Sequence, residues 1–225
     1  SSNPDVQAQF NNIRGSIENC MKYVSEDGVD IIGMQGGYYV LPEKDSFDLM
    51  WISIPYYYDR GRFLMPSDAE INKQLGLYVN DNLPDCLNEI NFSGFTLDYP
   101  SKFLTTAVVK PDEVVFRIDM PVTIAREGKT FRLNLRDNEI VVDSKLFEMI
   151  EIAKYITGSH KEDPDRICIS CVEKMASERK MRVDIMNFNE DKATSLIVIS
   201  SSNNETANNK PPFIFEFLNR YEKIG

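Results

Sequence analysis

Apolar residues in the first part of the chain recur at steps of three and four. Val6, Phe10, Ile13, Ile17, Cys20, Met21 and Val24 fall on one stripe, the spacing with which an α-helix buries a single face. Asp27–Gly28 is expected to interrupt this helix, with "VDIIGM" adding a second short piece, so that residues 1–36 are helical. "QGGYYVLPEKD" then reads as a helix C-cap and turn, since paired glycines reach positive φ without steric cost. It is a poor phosphate loop: it lacks the Lys-Ser/Thr pair and follows a helix instead of leading from a strand into one. Residues 47–63, "FDLMWISIPYYYDRGRF", are β-branched and aromatic and predict a strand or hairpin, with Pro55 confining it to an edge, a bulge or two shorter pieces. Ser67-x-x-Glu70 is a capping box that opens a second helix over 67–90. Ile71, Leu75, Val79, Leu83 and Leu87 form its stripe, Cys86 lies at the stripe's edge, and Pro84 predicts a kink or break.

From 92 to 142 the period changes to two. Val114, Phe116, Ile118 and Met120 alternate with Glu113, Arg117 and Asp119; Phe131, Leu133 and Leu135 alternate with Arg132, Asn134 and Arg136. With "FLTTAVVK" before them, these segments predict an antiparallel meander with one wet face, turned at "REGKT". Residues 143–178 return to helix, first with Leu146, Met149, Ile150, Ala153 and Ile156 on one face and a stop at Gly158. After the polar loop "SHKEDPD", a second helix starts at Pro164–Asp165 and carries the Cys168-x-x-Cys171 motif. Residues 180–221 are strand-rich: "MRVDIMNF", "TSLIVISS", the polar loop "SNNETANNKPP", and "FIFEFLNRY" as a strand or short helix. Helices and strands come in runs, without strict βαβ alternation. The fold class is therefore α+β: a single domain over 1–225, with a mostly antiparallel sheet and two N-terminal helices packed on it.

Composition narrows the function. Thirty-five acidic against 25 basic residues leave a net charge of −10, spread along the chain, which repels nucleic-acid phosphates and anionic lipid heads. Apolar runs such as "LIVI" are far shorter than the ~18 residues of a membrane span, and no leader pattern is visible. The single histidine removes metal motifs that need two. His160, beside Asp163 and Asp165, reads as a solvated loop residue, because no nearby nucleophile accompanies it as it would a general base. Neighbouring carboxylates such as Asp163 and Asp165 read as loop and cap residues. Asn91-Phe-Ser and Asn204-Glu-Thr match the N-glycosylation pattern, which has meaning only in an exported chain.

Three readings are open for Cys168-x-x-Cys171. A redox couple of the thioredoxin type needs a strand that delivers its first cysteine to a helix N-terminus, and here a helix and a polar loop come first. A zinc site would have to recruit Cys20 and Cys86, since the chain has one close cysteine pair and strong zinc motifs have two. The third reading is structural. Four cysteines allow three pairings; the helix stripes favour Cys20–Cys86 together with Cys168–Cys171, with no metal or cofactor. Tyr38, Tyr39, Trp51 and Tyr56–Tyr58 concentrate aromatic surface at 38–63. Core filling is the usual fate of aromatic strands, and a binding platform of Tyr39, Trp51 and Tyr57 is the alternative, tested by whether those three are exposed.

"ENCMKYVSEDGVDIIGMQGGYYVLPE", "DPDRICISCVEKMA" and "PPFIFEFLNRY" together resemble an uncharacterised family of extracytoplasmic proteins from small-genome, woesearchaeal-like archaea. The resemblance covers nearly the whole chain and carries no catalytic residues. It implies an outward-facing envelope setting, an N-terminal anchor lying outside this chain as the sole membrane attachment, and a compartment where disulfides persist. The expected function is a non-enzymatic binding or structural module whose partner is another surface protein or a glycan; the alternative is an extracytoplasmic thiol–disulfide oxidoreductase using the CxxC pair. In the chain-entropy model, a Cys20–Cys86 bridge is worth about 4 kcal/mol and a CxxC ring about 2. Cys20→Ser therefore lowers the melting temperature more than Cys168→Ser does, and alkylation of the unreduced protein with mass spectrometry finds no free thiol.

Overall fold

A computed structural model describes residues 4–188, 193–201 and 212–222. Helix α1 (Pro4–Met34) is one unbroken helix of 31 residues, about 45 Å long at 1.5 Å per residue. Asp27–Gly28 does not interrupt it. Gly28 lies where α1 meets α2 (Asp68–Asn88), and a Cβ there would stand 2.7 Å from Cδ1 of Tyr78. The Tyr78 hydroxyl donates to the Asp27 carboxylate beside it, so a pair that reads locally as a helix break is a helix–helix contact. The C-cap after α1 forms as expected: Gly36 and Gly37 have φ of +52° and +87°, and the Gly37 N–H donates to the Ile32 carbonyl at 2.8 Å.

The capping residue Ser67 accepts from the Glu70 N–H at 3.2 Å and starts α2 where the capping box places it. Pro84 neither breaks nor ends this helix. It removes one intrahelical donor, but Leu83 and Leu87 on either side are fully buried and Cys86 is bonded to Cys20 of α1. Tertiary contacts hold the last turn against the local preference.

Among the described residues the strands form three sheets, where the sequence pattern suggested one. β1 (Ser46–Asp48), β2 (Ser53–Asp59) and β3 (Arg62–Phe63) come from the aromatic segment. They join β10 (Met181–Phe188), β11 (Thr194–Ser201) and β12 (Ile214–Arg220) in the order β1-β2-β12-β11-β10, with β3 also on β2. The β2–β12 pair is parallel and the others antiparallel. Pro55 thus lies in an interior strand. It is tolerated because pairing with β12 begins only at Tyr56.

The expected meander divides. β4 (Thr96–Asp98), β7 (Pro121–Arg126) and β8 (Lys129–Asn134) make one three-stranded sheet; β5 (Leu104–Lys110), β6 (Glu113–Asp119) and β9 (Ile140–Asp143) make another. The chain changes sheet at Met120. Val114, Phe116, Ile118 and Met120 are all fully buried, as their alternation requires, so the period survives the change of partner. The "REGKT" hairpin joins β7 to β8 with positive φ at Glu127 and Gly128.

α3 (Leu146–Ser159) runs past Gly158, and His160 caps it. α4 (Ile169–Glu178) begins four residues after Asp165, with Cys168 as its N-cap. Among the described residues the fold is therefore α+β with four α-helices and three sheets, not a single sheet under two N-terminal helices. The loop with Asn204 lies outside the described residues, and among those residues no helix is long and apolar enough to cross a membrane.

α1 reaches all three sheets. Phe10 near its start packs on Phe131 of β8, ring centroids 3.6 Å apart, and edge-on to Phe95. Its middle touches α2 and β9, and its end meets β12. The Tyr57 hydroxyl of β2 donates to the Gly36 carbonyl at 2.8 Å. Two glycines of α1 test this arrangement in opposite directions. A Cβ at Gly15 meets nothing within 4 Å, so Gly15→Ala raises stability by about 0.5–1 kcal/mol. Gly28→Ala must displace the Tyr78 ring and lowers it by about 1–3 kcal/mol. Urea titration of the two variants checks both signs.

Candidate interaction site

The β1–β2 hairpin ends in the loop Leu49-Met50-Trp51-Ile52, beyond the last paired residues Asp48 and Ser53. The Leu49 N–H donates to the Ile52 carbonyl at 2.9 Å, which leaves Met50 and Trp51 at the apex. Met50 has φ +72°, a conformation that hairpin turns normally give to glycine or asparagine and that costs a methionine of order 1 kcal/mol or more. The Asp48 carboxylate holds it there, accepting from the Met50 N–H at 2.8 Å and from the Ser53 hydroxyl at 3.4 Å.

Below the apex the hairpin is anchored. Phe47 stacks edge-on against Phe188 of β10 at 5.0 Å, and Phe47 and Leu49 pack on a small core of Ile54, Tyr56 and Leu218. The two apical side chains are left out of it: Met50 is 87% exposed and Trp51 90%. Trp51 is the chain's one tryptophan, and it lies almost wholly in solvent at the apex of this turn.

The three aromatics expected to form a platform are not brought together. Tyr57 is fully buried, stacked on Phe217 with centroids 4.3 Å apart, and burial pushes its phenol well above the usual range. Tyr39 is half-buried edge-on against Tyr78, in a loop pinned by Gln74, whose side-chain oxygen accepts from the N–H groups of Tyr39 and Val40 at 2.9 and 2.8 Å. Of the three only Trp51 is fully exposed, and Met50, overlooked in the sequence pattern, is its companion. The signal for Met50 was its place beside Trp51 in a hairpin loop, where no strand alternation turns it inward.

The cysteines pair as favoured: Cys20 with Cys86 and Cys168 with Cys171 are bonded, with Cα atoms 5.7 and 5.3 Å apart, and no thiol is free. The first pair clamps α1 to α2 inside the core. Among the described residues no group of three or more His, Cys, Asp or Glu is placed to hold a metal ion.

His160 is not a solvated loop residue. It is buried, stacked on Tyr58 at 4.5 Å, with Asn219 donating from Nδ2 to its Nε2 at 3.0 Å and the Tyr221 hydroxyl 3.4 Å away. Nδ1 faces the Asp163 carbonyl at 3.4 Å, so the ring is the neutral Nδ1–H tautomer, and burial lowers its pKa against a smaller opposing pull from the Asp163 carbonyl. Where the parallel strands β2 and β12 end, Asp59 is fully buried. Arg220 grips its carboxylate bidentately at 2.6 and 2.9 Å, Arg60 donates at 3.1 Å, and Arg62 adds a further bond. These arginines, Arg220 first, hold the Asp59 carboxyl well below the carboxylate range. Both groups answer tertiary questions; nothing in "YYDRGR" or "GSHKED" shows that the far C-terminal strand supplies their partners.

A groove of about 190 Å³ beside α1 is lined by Arg14, Glu18, Arg132, Asn134 and Asn138. Glu18 already accepts from Arg14 and Asn138, so its charge is spoken for. No protein-family model, curated protein or solved structure matches this chain.

Acid stability follows from the two buried groups. A histidine whose folded pKa is depressed stabilises the fold above its ordinary value of about 6.5, and that contribution is lost as pH falls below it. Asp59, also depressed, adds a second loss as pH falls through its unfolded value near 3.8. Glu216, pushed up by burial, acts in the opposite sense in any variant and cancels from a comparison. The melting temperature of the native chain therefore drops between pH 7 and pH 5 more than that of His160→Gln, measured by circular dichroism at matched ionic strength.

Proposed function

We propose that the protein is a binding module of the cell envelope that engages another surface protein through the Met50–Trp51 apex. The observation that carries this reading is the turn itself: two large apolar side chains held in solvent by a strained residue that Asp48 fixes in place. Strain of this kind persists where the surroundings enforce it, and it marks candidate functional positions. Tryptophan and methionine are enriched in protein interfaces, where a rigid indole fills a pocket and a flexible thioether adapts to its rim. A glycan subsite would set polar donors and acceptors around the indole, and the apex offers a methionine instead.

Two further points bear on the envelope setting, and one on the partners. The sequence resemblance is in keeping with an extracytoplasmic, outward-facing setting. Two disulfide-bonded pairs are consistent with an oxidising extracellular environment. A charge of −10 disfavours nucleic acid and anionic lipid as partners. His160 faces Tyr58, Asn219 and Tyr221 inside the protein, which fits a packing role better than proton transfer to a substrate.

The experiment is a photo-crosslinker at position 52, beside the apex, in the full chain displayed on producing cells, followed by binding of the purified captured protein to native and Trp51→Ala chains. Trp51→Ala weakens saturable binding at least tenfold with no change in melting temperature, since the indole touches no core. Met50→Gly raises the melting temperature by relieving the positive-φ strain and weakens binding as well. Saturable binding to a glycan array that depends on Trp51 would replace the protein partner with a glycan; binding indifferent to Trp51 would refute the reading.

A further inference from the structure

The two disulfides differ in what surrounds them. Cys20 is 7% exposed and Cys86 packs against the same core, whereas Cys168 and Cys171 both lie exposed on the surface. Cys168 is also the N-cap of α4, a ten-residue helix. The loop that precedes it, expected to withhold the activating geometry of a redox CxxC, delivers the first cysteine to a helix N-terminus as a strand would. The first intrahelical bond runs from the Val172 N–H to the Cys168 carbonyl at 3.1 Å, so the N–H groups of Ile169, Ser170 and Cys171 point out of the helix start. Side chains that accept hydrogen bonds normally satisfy such groups, and here Cys168 makes no side-chain cap bond. A disulfide sulfur is a weak acceptor; a Cys168 thiolate is a strong one, and the helix dipole favours its charge. The Ser170 hydroxyl, 3.6 Å from Cys168 Sγ, is a further donor for it. Ile169, between the thiols and 49% exposed, gives an apolar landing beside the reactive pair, while Val172 and Ala176 hold the other face of α4 in the core.

We propose that Cys168–Cys171 is a thiol–disulfide exchange site that oxidises dithiols in extended polypeptide, with Cys168 as the sulfur attacked. A substrate thiolate attacks Cys168 Sγ; the Cys168–Cys171 bond breaks, and Cys171 leaves as a thiolate that takes a proton. The second substrate thiolate then attacks the substrate sulfur of the mixed disulfide and expels Cys168 as a thiolate at the helix N-terminus. The substrate loses two electrons and two protons and gains one disulfide. The cysteine pair gains the two electrons, one proton resides on Cys171, and the other passes to solvent. Exchange with an external protein disulfide, the same steps in reverse, restores the oxidised pair. Cys20–Cys86 takes no part, because attack in line with a sulfur requires access that the core denies. This activity is independent of binding at the hairpin apex.

The test uses the full oxidised chain. Under graded reduced glutathione, with acid quench, alkylation and peptide mapping, Cys168–Cys171 opens at least tenfold faster than Cys20–Cys86. A reduced dithiol peptide is oxidised to about one equivalent of peptide disulfide per native chain and to none by Cys168→Ser. In single-thiol comparison at neutral pH, Cys171→Ser reacts with oxidised glutathione at Cys168 at least tenfold faster than Cys168→Ser reacts at Cys171. Equal opening of the two bridges, no peptide oxidation by the native chain, or a faster Cys171 would each overturn the proposal. Should either variant fail to fold, the native chain's bridge-opening order and peptide yield still decide it.

Discussion

Burial of the apolar stripe of α1 is the constraint on which the remaining structure depends. Each sheet has an apolar face to cover, and one helix of 31 residues supplies part of the cover for all three. Its N-terminal end meets the β4–β7–β8 sheet through Phe10, Phe95 and Phe131. Its C-terminal end meets the six-stranded sheet where Gly33 lies against the Ile214 carbonyl, and the Gly36 carbonyl just beyond it accepts from Tyr57. Side chains of this size contribute about 1.5–3 kcal/mol each when fully buried, far more than any surface ion pair here can supply. The Cys20–Cys86 bond acts on this same contact, since it joins α1 to the helix that covers β5.

Strands β2 and β12 are tied by a second device of a different kind. Asp59 and Arg220 are 161 positions apart and meet in a bidentate pair at the end of the parallel β2–β12 ladder. A fully buried carboxylate would be costly if left alone; three guanidinium groups satisfy it, and their own outer edges remain wet. Arg220 also lies over the Tyr56 ring at 4.5 Å, so the same residue serves the charge and the aromatic face. The β1–β2 hairpin, and with it the exposed apex, is oriented by this junction and by the small core beneath Phe47 and Leu49.

Exposure separates the surface features with chemical meaning from those without. Most of the chain's aromatic surface is spent on packing: Tyr57 stacks on Phe217 inside the core, with Phe215 edge-on to both. Trp51 is held away from every such contact by a turn with a local energetic cost. The cysteines divide in the same way. The bridge in the core closes a loop of 66 positions and one on the surface closes a loop of three, so loop-closure entropy favours the first as a staple and accessibility favours the second as a reagent.

Periodicity in the sequence determined a good deal by itself. The stripe from Phe10 to Val24, the capping box at Ser67, the alternation from Val114 to Met120 and the strands at 181–188 and 194–201 were legible because burial of one face demands a fixed period whatever the partner is. The favoured cysteine pairing was legible for the same reason, as Cys20 and Cys86 sit on or beside such stripes. Only the tertiary structure decided who the partners are. Gly28 looks like a helix break until Tyr78 lies on it, and Pro84 until the helix around it is buried and bonded. Met120 gives no local sign that the chain changes sheets there. His160 reads as solvated because Tyr58, Asn219 and Tyr221, which enclose it, lie far away in sequence. Tyr57 and Trp51 are equally aromatic to the sequence, and opposite in fate because one points into a shared core and the other tops a turn. Local period follows from the chain alone; the identity of a contact across the fold depends on how long-range elements share a limited amount of interior.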